Sequence, residues 1–310
     1  MRIAGVIVPL LTPLTPGGDL DEDSLVRLID HTVEGGVAAI LLLGSTGEAP
    51  TIRPAERERL VRLATGIVRG RLPLLAGVIE AGTDLAVESA CRYQQAGADA
   101  VVPTAPMYFR HSQQELARHF AAVAETVDVP VFVYNIPPLV KVTLTPELIA
   151  DLARVPRIGG LKDSEGNLDV FQRYLAVREA VDGFQVWQGA EAVAAISVVR
   201  GADGVILGLA NVAPRLATAL YEAAARRDLA AAWALQDQLM TLFAIQRHRS
   251  FLAGLKAAAS LLGLCTDTLS RPFESLDGEQ VERVRETLVS LGLLETDHAD
   301  QLAVDGSVRA

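Results

Sequence analysis

Three groups of residues in this sequence have the types and spacing to do chemistry: a nucleophile, an anion cradle and a proton donor. The nucleophile is a lysine. The chain carries 28 basic residues, and only Lys141, Lys162 and Lys256 are lysines. Lys162 closes the apolar run Ile158-Gly159-Gly160-Leu161. An ammonium buried without a partner is costly. The cost falls if the amine sheds its proton, and a neutral buried amine is a nucleophile. The competing reading pairs Lys162 with Asp163 or Glu165 on a loop. Lys141, among Leu139, Val140 and Val142, reads as a solvated rim residue. Lys256, on the helical stretch Leu255–Leu262, reads as a surface or interface charge.

The second group is the turn Gly44-Ser45-Thr46-Gly47-Glu48, which can present backbone N–H groups and two hydroxyls to a carboxylate. An ordinary turn with Ser or Thr capping a helix is the alternative. The third is Tyr134-Asn135-Ile136-Pro137. A Tyr ending a barrel strand can hold its phenol over the centre as a proton donor, or it can be a packed aromatic with a satisfied hydroxyl. Pro106-Met107-Tyr108-Phe109 adds a fourth stretch.

The elements that must position these groups follow from the hydrophobic pattern. Apolar, β-branched runs are expected as strands at Ile3–Val8, Val37–Leu43, Leu74–Val78, Ala100–Pro103, Val131–Tyr134, Ile158–Lys162, Phe184–Trp187 and Gly204–Leu207. Stretches with apolar residues at helical spacing separate them, such as Leu25, Leu28, Ile29 and Thr32. Thr83-Asp84 and Thr145-Pro146-Glu147 read as helix starts. Eight strand–helix alternations predict an α/β protein built as a (β/α)8 TIM barrel, whose active sites lie at the carboxyl ends of the strands. The competing doubly wound sheet would show a glycine-rich phosphate turn after the first strand; Leu11-Thr12-Pro13 stands there instead. The four chemistry-bearing stretches then share one end of the barrel. The expected organisation is a catalytic barrel over 1–225, a C-terminal helical appendage over 226–294 with an oligomer role, and a loose tail over 295–310. Helices are expected at Leu229–Gln246, Phe251–Leu262 and Glu279–Leu291.

The bulk composition narrows the partners. The net charge of −10, with no basic block, argues against nucleic acid and anionic membranes. Half of the residues are hydrophobic, enough for a sizeable core, yet no apolar run approaches the roughly 18 residues needed to span a bilayer. Cys91 and Cys265 lie far apart, which fits a reducing compartment. Pro9 and Pro13 come early, with no signal-peptide stretch before them, so a cytoplasmic location is expected. His31, His111, His119, His248 and His298 lack metal-ligand spacing and read as surface or helix residues.

Gly44-Ser45-Thr46-Gly47-Glu48, Tyr134-Asn135-Ile136-Pro137 and Gly160-Leu161-Lys162-Asp163-Ser164 resemble, in order and spacing, the dihydrodipicolinate synthase/N-acetylneuraminate lyase superfamily, over about residues 3 to 294. The resemblance implies a class I aldolase or lyase. Lys162 would form a Schiff base with pyruvate or another 2-oxo acid. Ser45, Thr46 and Gly47 would hold its carboxylate, and Tyr134 would shuttle the proton. Tyr108 matches a tyrosine lent to a neighbouring subunit, which implies a homo-oligomer, dimer or tetramer. Gly189 and Gly208 match substrate-facing backbone positions. No metal and no organic cofactor are implied.

The member is narrowed by departures from the pattern. In dihydrodipicolinate synthases an arginine that clamps the aldehyde's carboxylate stands where this chain has Leu139, and leucine cannot make that bidentate contact. The motifs are similar to those of sialic acid lyases, but Ala190, Glu191 and Ala192 keep only part of the acidic set that holds the sugar, and Gly208 replaces a serine. The expected reaction is therefore reversible cleavage of a 2-keto-3-deoxy sugar acid to pyruvate and an aldehyde. The alternatives are 4-hydroxy-tetrahydrodipicolinate synthase (pyruvate and aspartate semialdehyde) and N-acetylneuraminate lyase. More remote is a non-catalytic module that binds 2-oxo acids. Its signature would be loss of the Lys, the Tyr or the Ser-Thr turn, and none is lost.

Overall fold

A computed structural model describes residues 1–295. The expected tail lies outside the described residues, apart from Glu295, and so does His298. Eight short strands form where the apolar runs stand: β1 (Gly5–Pro9), β2 (Ala39–Leu42), β3 (Leu74–Val78), β4 (Ala100–Pro103), β5 (Val131–Asn135), β6 (Ile158–Asp163), β7 (Gln185–Gln188) and β8 (Gly204–Ile206). Each pairs in parallel with the next, and β8 pairs with β1, so the sheet closes as a (β/α)8 barrel. Nearly every strand residue is buried, as helices outside and packed side chains inside require.

Local chemistry sets the helix starts. Asp21 caps the helix Glu22–Glu34 through the Ser24 N–H. Ser112 and Glu115 form a reciprocal capping box. Thr145 caps Pro146–Leu152, with proline in the first turn as expected. His119 sits buried on the helix Gln113–Thr126, its ring nitrogens 3.1 Å from Thr83 Oγ1 and from the Thr104 carbonyl. Burial pulls its pKa down to about 4.

The amino end of the barrel is plugged. Phe132 and Trp187 stack with ring centroids 4.2 Å apart. Gln185 exchanges two hydrogen bonds with the backbone of Ile3, and Trp187 Nε1 donates to the Ile3 carbonyl. A Cβ on Gly160 would lie 2.4 Å from the Gln185 carbonyl, so only glycine fits there. The carboxyl end is left open.

Beyond the barrel helix Pro214–Ala225 come the helices Leu229–Phe243, Phe251–Leu261 and Gly278–Ser290, with a single 3-10 turn at Ala244–Arg247. These lie close to the expected positions. The helix Phe251–Leu261 crosses the 3-10 turn so tightly that a Cβ on Gly254 would lie 1.9 Å from the Ile245 carbonyl. Among the described residues no helix is long and apolar enough to cross a membrane.

Candidate active site

The register of β5 against β6 sets Tyr134 directly beside Lys162. Both side chains turn inward at the carboxyl end of the barrel. Lys162 is 3% exposed, and its Nζ lies 3.8 Å from the centroid of the Tyr134 ring. The competing ion-pair reading fails. Among the described residues Lys162 pairs with no carboxylate, because successive strand side chains face opposite ways. Asp163 points out of the barrel into the wall, where its Oδ1 accepts from Asn135 Nδ2 at 2.7 Å. Burial pushes Asp163 up to about 6, against the pull of the Asn135 hydrogen bond. Asn135 also accepts from the Leu144 N–H at 3.0 Å, and Tyr174 donates to the Leu144 carbonyl. This buried set fixes the outer side of β5 and β6.

A cavity of about 430 Å³ opens above the amine. Of the expected site residues, Lys162, Tyr134, Ser45, Thr46, Leu139, Gly189, Glu191 and Gly208 line it. Two do not. Gly47 is buried beneath the turn, and its carbonyl accepts from Thr12 Oγ1 at 2.7 Å. A Cβ there would meet the Leu10 carbonyl and the Leu43 amide at 3.1 Å, so the packing beneath the turn requires glycine. Tyr108 is 77% exposed with φ +85°, outside the cavity of its own chain.

The turn after β2 leaves backbone donors unused. Among the described residues the amides of Ser45 and Thr46 donate to no protein acceptor, so both remain available to a ligand. Thr46 is 8% exposed. On the far side, Glu191 is enclosed by protein but open to the cavity, and its Oε1 accepts from the Gly208 amide at 2.9 Å. Burial raises the Glu191 carboxyl, while the Gly208 and Leu209 amides and the Lys162 charge oppose the rise. Gly189 is dictated by space: a Cβ there would lie 2.1 Å from Ser164 Oγ and 3.3 Å from Lys162 Cε.

Several lining residues were not foreseen. Ser164 Oγ is 3.5 Å from the Tyr134 hydroxyl. Its signal was available, since it follows Lys162 by two on the same side of the chain. Phe243, Gln246, Phe251 and Leu255 come from the C-terminal helices, which therefore close the site as well as flank the barrel. Gln236 ties them on by donating to the Glu191 carbonyl and accepting from the Ala195 N–H, both at 2.9 Å. Lys256 overturns the surface reading. It is fully buried, 3.2 Å from Glu48, because its helix faces the barrel and not solvent. Lys141 is exposed as expected, capping the short helix Pro137–Val140.

The arrangement offers a buried amine beside a phenol, two backbone amides without a protein acceptor, and one acid in a cavity whose remaining walls are mostly apolar. Comparison with known proteins agrees with it. The Dihydrodipicolinate synthetase family matches residues 2–291. A 4-hydroxy-tetrahydrodipicolinate synthase of Gluconacetobacter diazotrophicus is 36% identical over 292 residues, covering 94% of this chain and 97% of the relative. The crystal structure of the Thermotoga maritima dihydrodipicolinate synthase superposes with a TM-score of 0.91 at 29% identity, covering 95% of this chain and all of that one. A chloride-inhibited dihydrodipicolinate synthase of Acinetobacter baumannii, complexed with pyruvate, gives 0.89 at 30% identity over 94% of this chain and all of that one. A fold shared from end to end, with identity at this level, settles the classification: this chain belongs to the dihydrodipicolinate synthetase family, as one of its lyase/aldolase members.

Proposed function

We propose that the protein is a Schiff-base aldolase or lyase that uses pyruvate or a closely related 2-oxo acid. The observation that carries this is the Lys162 amine, buried at the barrel mouth with no carboxylate partner among the described residues, 3.8 Å from the Tyr134 ring centroid. Lys162 attacks the keto carbon and forms an imine with loss of water. The free amides of Ser45 and Thr46, with their hydroxyls, take the carboxylate. Tyr134 moves the proton to or from the acceptor oxygen as the carbon–carbon bond forms or breaks. Glu191 accepts a hydrogen bond from a hydroxyl of the acceptor half. The pyruvate complex of the Acinetobacter relative supports the choice of oxo acid.

Two readings of the acceptor stand. The relatives' names favour condensation with aspartate semialdehyde, as in 4-hydroxy-tetrahydrodipicolinate synthase, over the sugar-acid cleavage read from the sequence. One observation favours the sugar acid: Leu139 lines the cavity at the position where the resemblance to dihydrodipicolinate synthases implies an arginine, and among the described residues no arginine lines it. A carboxylated aldehyde would find no bidentate partner there. The site is completed in a homo-oligomer, dimer or tetramer, in which the exposed Tyr108 reaches a neighbouring subunit. Cys91 and Cys265 are both free, which supports a reducing, cytoplasmic setting.

Incubation with pyruvate and borohydride, followed by peptide mass analysis, tests the mechanism. Stable modification of Lys162 is expected, and an unmodified Lys162 rejects it. Pyruvate release from 2-keto-3-deoxy acids and from sialic acid, set against condensation with aspartate semialdehyde, decides the acceptor.

A further inference from the structure

The turn that would hold the substrate carboxylate is bracketed by two strained residues. Leu43 has φ +55° and Glu48 has φ +57°, both in the left-handed region. Such conformations are unfavourable for side chains like these and persist only where the surroundings over-determine them. Part of the constraint is room: a Cβ on Gly77 would lie 2.2 Å from the Leu43 carbonyl. The rest is a buried ion pair that the proposed chemistry does not use.

Glu48 and Lys256 have fully buried side chains, with Nζ 3.2 Å from Glu48 Oε1. Oε1 receives no aligned hydrogen bond, so the ammonium charge is what holds it. Oε2 accepts from Ser270 twice, from its N–H at 2.7 Å and its Oγ at 2.6 Å. Lys256 Nζ also donates to the Thr12 carbonyl at 2.7 Å and the Thr268 carbonyl at 2.6 Å. The Thr12 hydroxyl in turn donates to the Gly47 carbonyl. One ammonium thus grips the turn directly through Glu48 and indirectly through Thr12. Leu255, the residue before it, lines the cavity.

A buried ion pair is a poor stabiliser, because desolvation offsets most of its attraction and apolar residues of like volume do as well. Direction is what it supplies beyond an apolar pair. We infer that Lys256 and Glu48 are positioning residues, through which the C-terminal helix Phe251–Leu261 holds the Ser45–Thr46 amides in their carboxylate-binding arrangement. The inference rests on the Schiff-base reading above.

The test is borohydride trapping over a range of pyruvate concentrations, with chemical unfolding of each variant alongside. The double variant Glu48→Leu/Lys256→Met leaves no orphaned charge and is expected to fold with a midpoint near that of the wild type. It should need roughly tenfold more pyruvate for half-maximal trapping at Lys162, with the trapped fraction at saturation unchanged. Glu48→Gln keeps the shape and the Ser270 contacts, and serves if the double variant does not fold; a shift of roughly threefold in the same direction is expected. A purely structural pair would move the unfolding midpoint and leave the pyruvate requirement where it was, and that result overturns the inference. A wild-type Lys162 that pyruvate never modifies rejects the Schiff-base reading instead, so the two failures are distinguishable.

Discussion

Lys162 Nζ sits over the face of the Tyr134 ring, 3.8 Å from its centroid, on the neighbouring strand in exact register. The two groups have separate duties in the proposed reaction, and substitution should separate them. Tyr134→Phe keeps the ring and the packing around the amine but loses the proton carrier. Trapping of pyruvate on Lys162 should survive, while turnover falls by roughly two to four orders of magnitude. Lys162→Ala should abolish trapping outright. Equal loss of both signals in Tyr134→Phe would show that the hydroxyl is needed before the imine forms.

The proposed choice of acceptor turns on Leu139. It is 53% exposed at the edge of the cavity, so an arginine has space there. Leu139→Arg is expected to raise kcat/KM for aspartate semialdehyde by roughly ten- to a hundredfold, the worth of a charge-assisted bidentate contact. A wild type that already condenses this aldehyde at ordinary rates, with no gain in the variant, would favour the synthase reading in spite of Leu139.

Gly189 is set by its neighbours. The Cβ of an alanine would press on Ser164 Oγ and on Lys162 Cε. Gly189→Ala should still fold, since its severest clash falls on the end of the Ser164 side chain and the Asp163 carbonyl, at 3.2 Å, need give only by a few tenths of an ångström. Displacing the reacting amine should cost roughly a hundredfold in turnover. Unimpaired turnover would mean that Lys162 has more latitude than its 3% exposure implies.

Asp163 makes stability depend on pH. Burial raises its pKa from 3.8 to about 6. Between those values the folded chain keeps a proton that the unfolded chain has released. The stability contributed by this group is thus complete below 3.8, falls as pH rises, and is gone above about 6. Holding the charge buried at neutral pH costs about 3 kcal/mol. Asp163→Asn removes that cost, and its amide oxygen can still accept from Asn135. Urea unfolding should show the variant more stable at about pH 8 and level with the wild type at about pH 4. A gap of the same size at both would point away from Asp163.

Much of this protein was legible in its sequence. The eight apolar runs are strands because a parallel barrel buries both faces, which leaves a continuous hydrophobic signature that needs no partner to be seen. Lys162, Tyr134 and the Ser45–Thr46 turn could be set on one rim because strand ends follow directly from strand positions. Other features existed only once the chain had closed on itself. The pairing of Tyr134 with Lys162 depends on the β5–β6 register, which includes an irregularity between Val131 and Phe132. Gly47 has the same local pattern as its cavity-lining neighbours, and only the approach of Leu10 and Thr12 sets it beneath the turn. Lys256 looked like a helix surface charge because nothing near it in sequence can neutralise it. Its partners, Glu48 and the Thr12 carbonyl, come from the opposite end of the chain and meet it only when the last helices fold back over the barrel mouth.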